Sequence, residues 1–514
     1  MAFSPASPLT RRGLLTTAVA ALGASGLLAA CGGSAAVSAT TAASSAVTTT
    51  AAAVPTSAIA SAAPTTTAAS SSAVATTAVQ SVASSASTAA ASVAATTASA
   101  AATTSAAVAA APSAPTGAKT TLVFEWPQYT QEKTDYGNYI IATYQKLHPN
   151  ITVEPMFNTN PTQKLTVTIA GGSPPDVGWF GAGWAALLQS FLPLDSFVKQ
   201  NKVDPNNYFS KLWQSTHWLD KQYVMPNGFT VSLMYYNKDL FKASGITELT
   251  EKSTWDDLIS AGAKILKPQN NIYGVALDMG SYWAELLYGG PFWSADGTKA
   301  TIDNPVSTDM LQLYKDLDTK YKLVPPADLI KADGGNTQDV FLKGHLAFFA
   351  GGAWNLAPSR QTSFDWDITL LPVRSVSGQD HQATGMWTEE FFIEKDTKHQ
   401  PEAWEFLQWV TGPELVNWAA QNGHIVPGRT DIANSPTFLK AFPKPANISA
   451  FFKAADIAIP VDVHPAAPKL DKALGDAVGL FTANPQKASA GEALKQANDQ
   501  IQVALDSYNS GNKS

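Results

Sequence analysis

The chain has 514 residues, with 34 Lys and Arg against 41 Asp and Glu. All charged and histidine residues except Arg11 and Arg12 lie after position 118, so residues 119–514 carry 32 basic against 41 acidic side chains. That balance argues against nucleic acid, whose binding needs clustered Lys and Arg to neutralise phosphates. The single cysteine excludes an internal disulfide framework and a multi-cysteine zinc or iron–sulfur site.

Residues 1–31 read as an export signal. Arg11-Arg12 precedes an apolar run from Leu14 to Ala30 that is too short for a membrane-spanning helix. The run ends in Leu28-Ala29-Ala30-Cys31-Gly32, which resembles a bacterial lipoprotein signal with Cys31 as the lipidated residue. The paired arginines resemble a Tat signal. Residues 32–118 are almost wholly Ala, Ser and Thr. Such a segment has no large side chains to bury, so it is expected to be a disordered linker. The expected location is the outer face of the cytoplasmic membrane, with the lipid as the only membrane contact.

The remainder alternates strands and helices. Thr120–Trp126 is a β-rich run stopped by Pro127. Tyr136, Ile140, Ile141, Tyr144 and Leu147 recur at helical spacing. Ile151–Glu154 predicts a second strand, and Thr162–Ala170 a second helix ending at Gly171-Gly172. This order predicts an α/β fold with parallel strands, whose ligands sit beyond the carboxyl ends of the strands. Further helices are expected over Trp255–Leu266 behind an N-cap at Thr254, over Pro401–Val410 and over Gly491–Leu505.

Several segments follow one another in a telling order. They are Gly171-Gly172-Ser173-Pro174-Pro175-Asp176-Val177, Tyr235-Tyr236-Asn237-Lys238-Asp239-Leu240-Phe241, Thr254-Trp255-Asp256-Asp257-Leu258, Gly351-Gly352-Ala353-Trp354 and Gly423-His424-Ile425-Val426-Pro427. Together they resemble the bacterial extracellular solute-binding proteins, family 1, the maltose-binding-protein-like carbohydrate receptors of ABC importers. His345 departs from that family's usual small or basic residue. The resemblance implies a two-lobed, type II periplasmic-binding-protein-like fold that closes over a ligand. It implies one lobe from 119–229 plus 385–430 and another from 230–384 plus 431–514. It also implies a carbohydrate ligand, permease partners, no cofactor, no metal, no catalytic residue and a monomer.

A sugar presents apolar CH faces and a rim of hydroxyls, so its site needs flat aromatics beside planar polar groups. The candidates are Glu125 and Trp126 after the first strand, Trp179 and Phe180 after Pro-Asp-Val, and Tyr282, Trp283 and Trp293 around Gly289-Gly290-Pro291. Gly352 and Trp354 belong to the Gly-x-Trp segment, whose aromatic resembles a stacking residue of the family. Trp387 lies near a predicted hinge. Trp213, Trp218, Trp404, Trp409 and Trp418 are expected to pack in the core, and Asp176 to cap a turn. Two other readings stay open. One is the same receptor with iron, phosphate or a polyamine as ligand. The other is a glycan-cleaving enzyme, which needs two carboxylates facing across a cleft. Glu389-Glu390 does not supply that pair, because neighbours in a strand point to opposite faces.

Overall fold

The computed structural model describes residues 119–181, 183–277, 283–461, 463–483 and 486–511, and only the backbone of 283–285. The expected signal, Cys31 and the linker lie outside the described residues, as does Tyr282.

Strands β1 (Thr120–Pro127) and β2 (Ile151–Asn158) pair in parallel, Thr120 opposite Ile151. A parallel pair needs a long crossover, and α1 (Gln131–Leu147) supplies it. Thr130 caps α1 by accepting the Lys133 N–H. The expected stripe is buried at Tyr136, Ile140, Ile141 and Tyr144, but Leu147 at the last turn is exposed. Then come α2 (Pro161–Ala170) and β3 (Val177–Gly181), parallel to β1. Asp176 ties this corner together, taking the Val123 N–H at 2.8 Å and the Thr397 hydroxyl.

A hairpin of His217–Trp218 with Lys221–Gln222 precedes β4 (Val224–Val231) and β5 (Leu233–Asn237). Helix α3 (Trp255–Ile265) begins at a full capping box between Thr254 and Asp257, as the sequence predicts. The chain continues through β6 (Tyr273–Ala276), α4 (Pro305–Thr319), β7 (Leu346–Gly351) and β8 (Trp366–Thr369). Next are β9 (Thr384–Ile393), α5 (Gln400–Val410), α6 (Pro413–Gln421), β10 (Val426–Pro427) and β11 (Ala458–Pro460). Helices α7 (Ala467–Thr482) and α8 (Ala490–Gly511) close the described chain.

The strands form two main sheets. The larger has the order β10-β4-β9-β3-β1-β2, with β11 beside the first residues of β9; the smaller has the order β8-β5-β7-β6. The chain passes between them at Ser232, at Thr384 and near Ala458–Pro460. These crossings are bonded to one another. The Thr384 hydroxyl donates to the Ser232 carbonyl at 2.8 Å, Thr384 pairs with Ala458, and the Val461 N–H donates to Met386 at 3.1 Å. Within 431–457, which the family resemblance places in the second lobe, Phe438, Ile448 and Phe451 join a cluster fed by both sheets.

Both faces of the larger sheet are apolar. One carries Phe124, Trp126, Trp179 and Phe391 against Tyr136 and Phe406. The other carries Phe180 and Phe392 against Trp184, Leu188 and Phe191. The smaller sheet has its own cluster around Met234, Trp255, Leu258 and Phe348. Helices α7 and α8 pack on each other and on Leu311 of α4.

His464 joins these parts. Its ring centroid lies 4.7 Å from Trp218, 5.6 Å from Trp293 and 5.3 Å from Tyr508. Trp218 comes from the hairpin before β4, Tyr508 from α8. Nδ1 accepts the Ala466 N–H at 2.9 Å. Burial holds the imidazole neutral and brings its pKa down to about 4.

Candidate ligand site

Aromatic and ionic groups meet where the two sheets adjoin. Trp354 follows β7 and is 43% exposed, a large apolar surface to leave in water. Its turn is strapped from beneath. The Tyr235 hydroxyl donates to the Gly352 carbonyl at 2.7 Å, and the Ala353 N–H donates to Thr230 Oγ1 at 2.7 Å. Thr230 lies opposite Trp387 in the β4–β9 pairing. The Trp354 and Trp387 rings stand edge to face, with centroids 6.2 Å apart at 82°.

Each indole lies over a glycine. A Cβ on Gly352 would overlap Cζ3 and Cη2 of Trp354, and one on Gly385 would fall 2.7 Å from Cη2 of Trp387. Gly352 has an ordinary φ of −102°. What it supplies is therefore close approach rather than a rare backbone conformation.

Two residues along the same face of β9 from Trp387, roughly 7 Å away, Glu389 takes the Lys133 ammonium at 2.8 Å. That ammonium also lies 4.7 Å from the Trp179 ring centroid and 5.3 Å from Trp126, within cation–π range. Tyr129 sits edge-on to Trp179 at 6.4 Å. Trp354, Trp387, Glu389, Lys133 and Trp179 thus follow one another. Trp179 is buried in the core beneath Lys133. It is Trp354 and Trp387, with Glu389 as acceptor and Lys133 as donor beside them, that offer flat apolar faces and polar groups to a ring-shaped ligand with a polar rim.

Two carboxyls behave differently. Glu125 is wholly buried, and its Oε1 accepts from Asn158 Nδ2 at 2.7 Å while Oε2 has no partner. Burial pushes its pKa up to about 8, against a smaller lowering by Asn158. Glu390 is also wholly buried, with both oxygens lacking a hydrogen-bond partner. Burial pushes its pKa well above the usual range, and Thr388 offsets this only in part.

The structure therefore sorts the sequence candidates. Trp354, Gly352 and Trp387 are brought together, whereas Trp179 is buried in the core beneath Lys133 and is no open platform. Trp126 and Phe180 do not stand as open platforms. Trp126 is sealed under α1 by Gly137 and donates its Nε1 hydrogen to the Lys133 carbonyl, while Phe180 packs against Phe191. Glu125 lies inside a strand, not on a solvated loop. Trp293 belongs to the His464 box. Tyr282 lies outside the described residues, as does the side chain of Trp283. Tyr235 and Tyr236 are buried, their hydroxyls donating to Gly352 and Glu248, which is core packing rather than an open iron site.

Sequence reasoning missed Lys133 and gave Glu389 no binding role. The two are 256 positions apart, and neither stands in a motif. A lysine in the first turns of an amphipathic helix reads as a solvated side chain.

The family described as bacterial extracellular solute-binding protein matches residues 127–416. A maltotriose-binding protein of Pyrococcus abyssi is 20% identical, aligning 73% of this chain with 81% of its own. An ABC substrate-binding protein of Listeria monocytogenes, solved in complex with cycloalternan, superposes with a TM-score of 0.66 at 22% identity, covering 76% of this chain and 99% of that one. A cyclic alpha-maltosyl-1,6-maltose binding protein of Arthrobacter globiformis superposes at 0.64 with 19% identity, covering 76% and 100%. These three relatives are binding proteins, not enzymes, and the fold they share is the two-lobed type II periplasmic-binding-protein fold. Among the described residues no helix is long and apolar enough to cross a membrane. With more than half its length matched by that family, the chain belongs to the bacterial extracellular solute-binding proteins.

Proposed function

We propose that the protein captures a sugar or oligosaccharide between its two lobes and delivers it to the permease of an ABC importer. The exposed Trp354, set edge to face with Trp387 beside the Lys133–Glu389 pair, carries this reading. Indole faces cover the CH faces of a pyranose, while a carboxylate and an ammonium meet its hydroxyls. Ligand favours the closed form by its differential affinity, so no catalytic group is required. The names of the relatives support a carbohydrate. On this reading Cys31 holds the chain to the outer face of the membrane, and the receptor acts as a monomer.

The test is a thermal-shift titration of residues 119–514 with maltotriose, mannobiose and erythritol, and with iron, phosphate and spermidine as controls. A concentration-dependent rise of the midpoint with a sugar supports the reading. A rise with the controls alone sinks it. The platform has its own check in Gly352→Ala. The added methyl displaces the Trp354 indole while its φ remains ordinary for alanine, so sugar affinity should fall about tenfold with the melting midpoint of the empty protein unchanged.

A further inference from the structure

The two oxygens of Glu389 are placed differently. Oε2 takes the Lys133 ammonium at 2.8 Å, while Oε1 accepts from no protein group among the described residues. The Glu389 side chain is 24% exposed, against 14% for Lys133. The β4–β9 register shifts between Glu389 and Glu390, passing over Asn227, and such a bulge re-aims the side chain beside it. Glu389 therefore stands next to Trp387 with one oxygen committed and one open to a donor.

Lys133 is held at both ends. Its carbonyl accepts the Trp126 indole N–H at 2.8 Å, and its ammonium rests against the buried rings of Trp179 and Trp126. An ordinary surface lysine swings its charge through solvent; this one stays on the core side of the carboxylate. The neighbouring charge on α1, Glu132, is taken by His424 Nδ1 at 2.6 Å. A ligand on the Trp354–Trp387 platform thus meets the Glu389 oxygen before the Lys133 ammonium.

That order sorts ligands by charge. A sugar hydroxyl can donate to Oε1 while its ring stacks on the indoles. A carboxylate or phosphate on the same ring brings a second anion against Glu389, and reaches Lys133 only by breaking the bond between them. Juxtaposed like charges are a strong bar to binding, and the hydroxyl contact is given up as well.

We propose that Glu389, fixed by Lys133, restricts the ligand to uncharged sugars and shuts out their acidic and phosphorylated counterparts. This deepens the carbohydrate reading above and rests on it. Glu389 touches the sugar; Lys133 is a positioning residue that holds the carboxylate and partly offsets its charge.

Isothermal titration compares maltotriose and mannobiose, each with a counterpart in which one primary hydroxymethyl group is oxidised to a carboxylate. The neutral sugar should bind at least about tenfold tighter than its acid. Glu389→Gln keeps the shape and an acceptor but removes the charge, so the gap should close to within about threefold. Lys133→Met keeps an apolar stem over Trp179 and removes the cation, so the gap should widen by about threefold or more. A residue that merely supported the fold would weaken both sugars alike and leave the gap as it was. The wild-type comparison stands even where a variant folds poorly. An acid bound equally or more tightly by the wild type, or a gap that Glu389→Gln leaves unchanged, overturns this inference and keeps the carbohydrate receptor. No response to any of the four sugars, with binding of phosphate, iron or spermidine instead, overturns both.

Discussion

Glu125→Gln should stabilise the empty protein by about 4 kcal/mol at pH 8 and by little near pH 4.5. The unfolded chain loses this proton around pH 4.5, whereas the folded protein holds it to about pH 8. Between those values folding takes up a proton, so stability falls as pH rises, by about 1.4 kcal/mol per pH unit. Above pH 8 the penalty is constant. Glutamine keeps the acceptor for Asn158 and has no proton to lose. His464 has the opposite slope. Its pKa is lowered on folding from 6.5 to about 4, so its contribution is complete above pH 6.5 and is lost as pH falls toward 4. Urea unfolding between pH 6.5 and 8 therefore isolates the acids. The wild-type curve should fall more steeply than the variant's by about one proton's worth, and parallel curves would show that Glu125 does not stay protonated on folding.

Trp354→Ala should weaken sugar binding by roughly 2–3 kcal/mol, about 30- to 150-fold, because an indole face and its buried area are lost together. Its effect on the empty protein should be slight, since the ring is already 43% exposed. Trp126→Ala should do the reverse. That ring is wholly buried, and emptying its place costs about 3–5 kcal/mol of stability. Titration of both variants with one sugar, beside their unfolding curves, separates platform from core. Unchanged affinity in Trp354→Ala would move the platform to Trp387.

Periodicity and capping made much of the fold legible. The stripe from Tyr136 to Tyr144 and the Thr254–Asp257 box are local signals, and both stand as expected. The Gly-x-Trp segment was legible because its glycine and its indole are neighbours in sequence. Burial at strand ends was not. Trp126 and Phe180 sit one residue from Glu125 and Trp179, yet which side of the sheet each faces, and what covers it, is decided by helices and strands far along the chain. The alternation that separates Glu389 from Glu390 was readable. That one would meet Lys133 and the other be buried without an ion-pair partner was not, because ion pairing across 256 positions leaves no local trace.

The bonded crossings at Ser232, Thr384 and Ala458 have a mechanical consequence. Three chain segments held side by side make a ribbon, which bends easily about its width and resists shear and twist. On the proposed function, opening and closing of the lobes would then follow one path instead of many. Little conformational freedom would be left to be lost when a ligand arrives, so more of the contact energy at the proposed Trp354–Trp387 platform would be available as affinity. The same ribbon would limit how the lobes face one another once closed. A docking partner on the membrane would meet one well-defined shape when the receptor is loaded and another when it is empty.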